Sequence, residues 1–271
     1  MTYHVQFPGL GLEFTLDRVA FTVFGMPIYW YGILIATGLA LAIVFAFSHA
    51  RRFGIDSDRM VDVILIGTVC AVIGGRAFYV ATAPFEYASF AEMLDIRLGG
   101  VAIYGAVIAA FLSGYFACRW RKVPILPMFD LAGMGFLLGQ GIGRWGNFMN
   151  CEAFGGYTDS LFAMRIKRSI VNESMISQEL LENLITENGI EYIQVHPTFL
   201  YESMWNLGLL LFMLWYRKRK KFTGEMLLIY LTGYGIGRAW IEGLRTDQLL
   251  IPGTELAVSQ VLSMVIAVIS L

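Results

Sequence analysis

Charge is scarce in this 271-residue chain, where Asp, Glu, Lys and Arg together make up only 15% of the residues, against roughly 25% in soluble domains. That scarcity, with a mean hydropathy of +0.62, excludes a soluble globular protein. Twenty basic against 21 acidic residues leave a formal net charge of -1, so the basic footprint of a nucleic-acid-binding protein is absent. Cys70, Cys118 and Cys151 have no spacing that suggests a metal site or a disulfide framework, and Cys151 reads as a small packing residue. The three histidines form no cluster: His4 is in the N-terminal arm, His49 ends an apolar run, and His196 precedes Pro197, where capping or loop packing is its expected role.

What the chain has instead is long uncharged stretches. No Asp, Glu, Lys or Arg lies between Arg18 and Arg51 or between Arg97 and Arg119, and a membrane-spanning helix needs about 20 apolar residues. Uncharged windows predict spans near 28–49, 60–83, 98–118, 128–147, 199–216, 225–244 and 256–271. The first begins too late, and is too long, for a cleaved signal peptide, so it stays in the mature protein. The last stops at Leu271 without a basic flank, which predicts that the natural chain continues. The expected fold class is therefore an all-α polytopic membrane protein with seven transmembrane helices and a small α/β extracytoplasmic cap.

Eleven of the 20 basic residues fall in three alternate loops, at Arg51, Arg52 and Arg59, at Arg119, Arg121 and Lys122, and at Arg217 to Lys221. Such loops face the cytoplasm, which puts the N-terminus outside and the C-terminus inside. The whole chain, 1–271, reads as one integral-membrane domain with an outer arm over 1–27 and a cap over 148–197 between spans four and five. Within the cap, Leu161 to Val171 is expected to form a strand. Ser174 to Glu187 is expected to form an amphipathic helix closed by Asn188-Gly189. No internal repeat is visible, which weighs against a transporter.

Four arginines remain inside or at the ends of spans: Arg76, Arg144, Arg238 and Arg245. A charge there costs ~2.5 kcal/mol or more, so each needs a partner or a ligand. Arg76 and Arg245 are open to snorkelling or a structural ion pair as much as to ligand binding. Arg144, Asn147 and Asn150 recur every three residues in Gly141–Glu152 and share a helical face, although for Asn150 alone a helix cap is the favoured reading. Tyr234, Arg238 and Glu242 form one stripe at i, i+4 and i+8, continued by Arg245. Glu242 could neutralise its neighbours, yet two cations would remain for one anion.

Arginines from two helices, with amide and phenol donors beside them, suit a phosphate, which guanidinium grips bidentately. A membrane supplies phosphates as lipid headgroups, so an enzyme acting on a phospholipid is the leading reading. The alternative is a phospholipid-binding or lipid-moving protein without transferase chemistry.

The motif Gly141-x-Gly-Arg-x-Gly-Asn-Phe-x-Asn150, followed by Glu152 and Gly155, resembles the signature of the bacterial phosphatidylglycerol:prolipoprotein diacylglyceryl transferases. Further matches are Trp30-Tyr31-Gly32, Gly74-Gly75-Arg76, Gly99-Gly100, Asp130, His196-Pro197, Leu200-Tyr201-Glu202 and Gly233-Tyr234-Gly235 with Arg238, Glu242 and Arg245. The resemblance implies a seven-span inner-membrane protein with its N-terminus outside. It also implies transfer of diacylglycerol from phosphatidylglycerol to the lipobox cysteine of a prolipoprotein signal-peptide region, giving a thioether and glycerol 1-phosphate. No metal or organic cofactor is implied, and the partners are those two substrates and membrane lipids, with no nucleic acid. By the same resemblance Arg144 and Arg238 stabilise the leaving phosphate. Asn147, Asn150, Glu152, Tyr234, Glu242 and Arg245 contact or support the headgroup, and Arg76 is a further candidate.

One departure bears on mechanism. Many relatives carry His-Gly-Gly in the third span, the histidine being a proposed base, whereas this chain has Tyr104-Gly105-Ala106. An unperturbed tyrosine (pKa ~10) is a poor base near neutrality, while a cysteine thiol (pKa ~8.5) is already partly ionised. Electrostatic activation of the substrate thiol is expected instead, with Tyr104 either hydrogen-bonding substrate or packing the bundle.

Overall fold

The computed structural model describes residues 2–83, 85, 87–95, 99–254 and 256–271. Arg97 and Leu98, which flank and open the third expected span, lie outside the described residues. Where water is absent every backbone amide must be paired within its own segment, so the long apolar runs fold as helices. Among the described residues four are long and apolar enough to cross a membrane: α1 (Trp30–Ala50), α2 (Ser57–Thr82), α4 (Ile103–Arg121) and α5 (Ile125–Asn150). A five-residue helix, α3 (Phe90–Leu94), precedes α4. Several short segments of strand and helix separate α5 from α7 (Thr198–Tyr216), which with α8 (Glu225–Glu242) and α9 (Val258–Ser270) occupies the last three expected positions. Glu202 and Asn206 dilute the apolar character of α7, and Arg238 and Glu242 that of α8, while α9 has 13 residues.

The chain divides into two compact units, residues 46–131 and residues 1–45 with 132–271. In the first, Asp56 caps α2 by accepting hydrogen bonds from the amides of Asp58 and Arg59 at 2.9 and 3.2 Å. Its helices α2 and α4 cross with backbones nearly touching. A Cβ on Gly105 would fall 2.4 Å from the Gly74 carbonyl oxygen, and the Ala102 amide donates to the Gly75 carbonyl at 3.0 Å. Small residues permit this approach, and dispersion then holds the pair without any hydrophobic drive. At the far end of the pair Arg121 meets Asp62 at 2.6 Å.

The second unit contains a five-stranded antiparallel sheet in the order β2-β1-β5-β7-β6. It is built from β1 (Thr2–Phe7), β2 (Leu12–Asp17), β5 (Met164–Lys167), β6 (Ile185–Glu187) and β7 (Ile190–Val195). A separate hairpin, β3 (Val19–Val23) with β4 (Met26–Tyr29), runs directly into α1. Val5, Phe7, Phe148, Phe154, Ile166, Ile193 and Phe199 form the core beneath the sheet.

The arm supplies two of the sheet's strands, with β1 pairing with β5 at Val5↔Ile166. Two expectations are corrected here. The strand expected over Leu161 to Val171 is confined to Met164–Lys167. The helix expected over Ser174 to Glu187 shrinks to α6 (Gln178–Glu182), and its last residues form β6 instead. Asn188 and Gly189, with φ of 51° and 75°, make the two-residue turn joining β6 to β7, since Asn-Gly adopts the left-handed pair such hairpins need more readily than it stops a helix.

Candidate active site

Close packing of α8 on α7 sets the geometry. A Cβ on Gly237 would fall 2.1 Å from the Trp205 indole nitrogen, so only glycine lets α8 come this near, and the neighbouring Arg238 is carried against α7. On the other side of α7, the Ser203 hydroxyl donates to the Gly141 carbonyl at 2.8 Å and accepts from the Trp145 indole at 3.2 Å, tying α5 to α7. Three helices thus bring their polar faces together one turn from their ends.

At the junction stands Glu202 of α7, 2% exposed. Its Oε1 meets Arg144 Nη2 of α5 at 2.8 Å, and its Oε2 meets Arg238 Nη1 of α8 at 3.1 Å. Arg238 Nη2 reaches Glu242 at 2.5 Å, and Glu242 also accepts from the Ser259 hydroxyl of α9. Arg245 lies 3.8 Å from Glu242 and forks onto Asp247 at 2.8 and 2.7 Å. In the other direction Arg144 donates to Asn147 at 3.3 Å and to the Tyr234 hydroxyl. Asn147 and Asn150 both donate to Glu152, at 3.0 and 3.2 Å. Arg18 closes this end by donating to the Asn150 carbonyl at 2.6 Å.

Eight of the ten site residues expected from the sequence therefore form one connected network: Arg144, Asn147, Asn150, Glu152, Tyr234, Arg238, Glu242 and Arg245. The expectation of two cations for one anion is corrected, because Glu202 and Asp247 complete three carboxylates for the three guanidiniums of Arg144, Arg238 and Arg245. Burial by itself would raise the Asp247 carboxyl, but the Arg245 fork outweighs it and holds the group below its usual range.

Glu202 was legible only as part of the Leu200-Tyr201-Glu202 motif and was not singled out as a site residue. The missed signal is a lone carboxylate inside an apolar helix, which needs a cationic partner and points to function by default. Asp247 and Ser259 carry no signal in sequence, since only the return of the chain past α8 brings them to Arg245 and Glu242.

Arg76 and Tyr104 belong to the unit of residues 46–131. Arg76 spends its guanidinium on neutral backbone: Nε donates to Met93 O at 2.7 Å, Nη2 to Glu92 O at 2.9 Å, and Nη1 to Gly99 O and Gly100 O at 3.1 and 3.0 Å. Met93 O lies in the last turn of α3, whose final carbonyls lack helical partners, and Glu92 O also accepts from the Asp95 amide at 3.2 Å. Among the described residues no carboxylate lies at ion-pair distance from Arg76, and it ties Glu92 and Met93 to Gly99 and Gly100. Tyr104 is half-buried in the first turn of α4.

Cys151 is buried, and burial pushes its thiol up to about 11, which removes it as a nucleophile near neutrality. His196 does not cap α7. Its ring sits 3.2 Å from the Tyr201 hydroxyl, and burial, partly offset by Glu179, lowers its pKa. Among the described residues no group of His, Cys, Asp and Glu is arranged to hold a metal ion.

Two guanidiniums from different helices, already converging on the two oxygens of one buried carboxylate, offer the spacing and charge that a phosphate needs. Comparisons with known proteins agree with that chemistry. The profile described as prolipoprotein diacylglyceryl transferase matches residues 18–271. Curated relatives named phosphatidylglycerol–prolipoprotein diacylglyceryl transferase include one from Clostridioides difficile (strain 630), 38% identical over 92% of this chain and 91% of its own length. Another, from Bacillus cereus (strain B4264), is 38% identical over 94% of this chain and 90% of its own. A third, from Clostridium novyi (strain NT), is 37% identical over 94% of both.

Proposed function

We propose that this chain, which belongs to the prolipoprotein diacylglyceryl transferase family, moves the diacylglyceryl group of phosphatidylglycerol onto the lipobox cysteine of a prolipoprotein. The observation that carries the reading is the convergence of Arg144 and Arg238 on Glu202 within the matched region.

In the reaction the peptide sulfur attacks the C3 carbon of the diacylglyceryl glycerol, the one that carries the phosphate. The C–S bond forms, the C–O bond breaks, and its electron pair stays on the phosphate oxygen. The thiol proton goes to that phosphomonoester or to water. Negative charge thus grows on the phosphate in the transition state, and cations aimed at it speed the step. Arg144 and Arg238 supply those cations, Tyr234 orients Arg144, and Glu242 and Arg245 support Arg238. Asn147, Asn150 and Glu152 hold the outer edge of the headgroup site. The nucleophile comes from the substrate, consistent with the inert Cys151. Tyr104 stands where relatives carry a histidine, and its phenol acts by hydrogen bonding, leaving activation of the thiol to the arginines. Arg76, with its donors spent on carbonyls, is left out of the headgroup set.

The seven helices are read as seven spans of a bacterial inner-membrane protein, with the N-terminus outside and the C-terminus in the cytoplasm. The pairing of β1 with β5 supports this topology. It requires the arm and the 148–197 loop to share a side, hence an even number of crossings between them, and four candidate spans supply it. The basic loops at Arg51–Arg59 and Arg119–Lys122 then fall together on the opposite, cytoplasmic side.

The experiment is incubation of the purified protein with labelled phosphatidylglycerol and a lipobox peptide. Formation of a thioether-linked diacylglyceryl peptide and glycerol 1-phosphate is expected. Lipid binding without product would overturn the reading in favour of a lipid-binding protein.

A further inference from the structure

Resting on the transferase reading, we propose that Glu202 is a positioning residue that holds Arg144 and Arg238 apart at phosphate-binding spacing and then competes with the product phosphate for them, driving its release. The carboxylate offers one oxygen to each guanidinium, at 2.8 and 3.1 Å, which is how a phosphate would bridge the same pair. Its side chain is 3% exposed, so once displaced by an anion it has almost no water to turn to. An unpaired buried carboxylate is strongly unfavourable, and its return to the arginines is correspondingly favoured.

The reaction makes that return necessary. Phosphatidylglycerol enters with one negative charge on its phosphodiester, and glycerol 1-phosphate leaves as a phosphomonoester with a second pKa near ~6, close to doubly charged at neutrality. Two guanidiniums attract the product more strongly than the substrate. Without a competing anion the site would hold its own product. Glu242 meets Arg238 and Asp247 meets Arg245, but of these three carboxylates Glu202 is the one that meets both Arg144 and Arg238.

The test is glycerol 1-phosphate binding to the full-length protein in detergent, by calorimetry, for the unmodified chain, Glu202→Gln and Glu202→Asp, beside thioether formation in single and multiple turnovers. Glu202→Gln keeps the shape and removes the charge. It should bind glycerol 1-phosphate about tenfold tighter or more, complete a first turnover and stall afterwards, with KM for phosphatidylglycerol lowered by less. Glu202→Asp, one methylene short of reaching both guanidiniums, should fall between. Binding within twofold of the unmodified chain in the variants that fold would overturn the proposal. So would failure of both to fold, which would make Glu202 a structural strut. Absence of thioether from the unmodified chain would count against the transferase reading instead, and the binding comparison would still decide the role of Glu202.

Discussion

Arg76 and the Arg144–Arg238 pair look alike in sequence, as guanidiniums in glycine-rich apolar helices, but their partners are of opposite kinds. Arg76 is satisfied by four neutral carbonyls, those of Glu92, Met93, Gly99 and Gly100. Arg144 and Arg238 are satisfied by a carboxylate from a third helix. Carbonyls that belong to the backbone cannot be traded for a substrate without unravelling the segment, whereas one anion exchanges readily for another. The difference teaches that an intramembrane arginine is a candidate for ligand binding when its partner is an exchangeable anion.

The largest effect that would break this contrast concerns Arg238→Lys. Keeping the charge but losing the planar fork should lower kcat/KM by about 100-fold or more, the cost of losing one oxyanion donor. Turnover near that of the unmodified protein would make Arg238 a structural ion pair with Glu242. Next, Arg76→Gln should destabilise the fold by roughly 1–3 kcal/mol through carbonyls left unpaired, seen as a lower unfolding midpoint, while kcat/KM per folded molecule stays within about threefold. A large loss of kcat/KM with unchanged stability would return Arg76 to the headgroup site. Smaller still, Tyr104→Phe should slow turnover by one hydrogen bond's worth, ~1 kcal/mol or about fivefold, without moving the pH profile. A loss nearer 10²–10⁴-fold, with an ionisation missing from the profile, would make the phenol a general base. The smallest effect is on stability alone. Because burial lowers the His196 pKa, the fold favours the neutral ring. Its contribution is full above the ordinary histidine value of ~6.5 and is lost as pH falls below that towards the depressed folded value. Melting temperature should drop between pH 7 and pH 5, and less so in His196→Gln; an equal drop in both would place the acid sensitivity elsewhere.

The helical frame was legible because long apolar windows can pair their backbone only within themselves, and a helix falls at each of the seven expected windows, four of them long and apolar enough to cross a membrane. The sheet was less so: Tyr3, Val5 and Phe7, and Leu12, Phe14 and Leu16, alternate with polar residues as strands do, but the partner that ties β1 to the sheet, β5, lies more than 150 residues away. Asn188-Gly189 was visible but misassigned, its hairpin geometry outweighing the helix it was expected to close. At the site, Arg144 and Arg238 stood out by their cost in an apolar helix, and Tyr234 and Glu242 by their spacing from Arg238. Glu202 bore the same signal in α7, yet its role depends on which helices flank it. The role of Arg76 was not legible, since carbonyls carry no mark in a sequence.

The central claim, that Arg144 and Arg238 form the phosphate site, is tested most directly by the single-turnover rate of thioether formation in Arg144→Ala, beside its unfolding transition. The protein should remain inserted and folded, because Arg238 still pairs with Glu202, while the rate falls by about 100-fold or more. A folded variant that forms thioether at the rate of the unmodified protein would contradict the account.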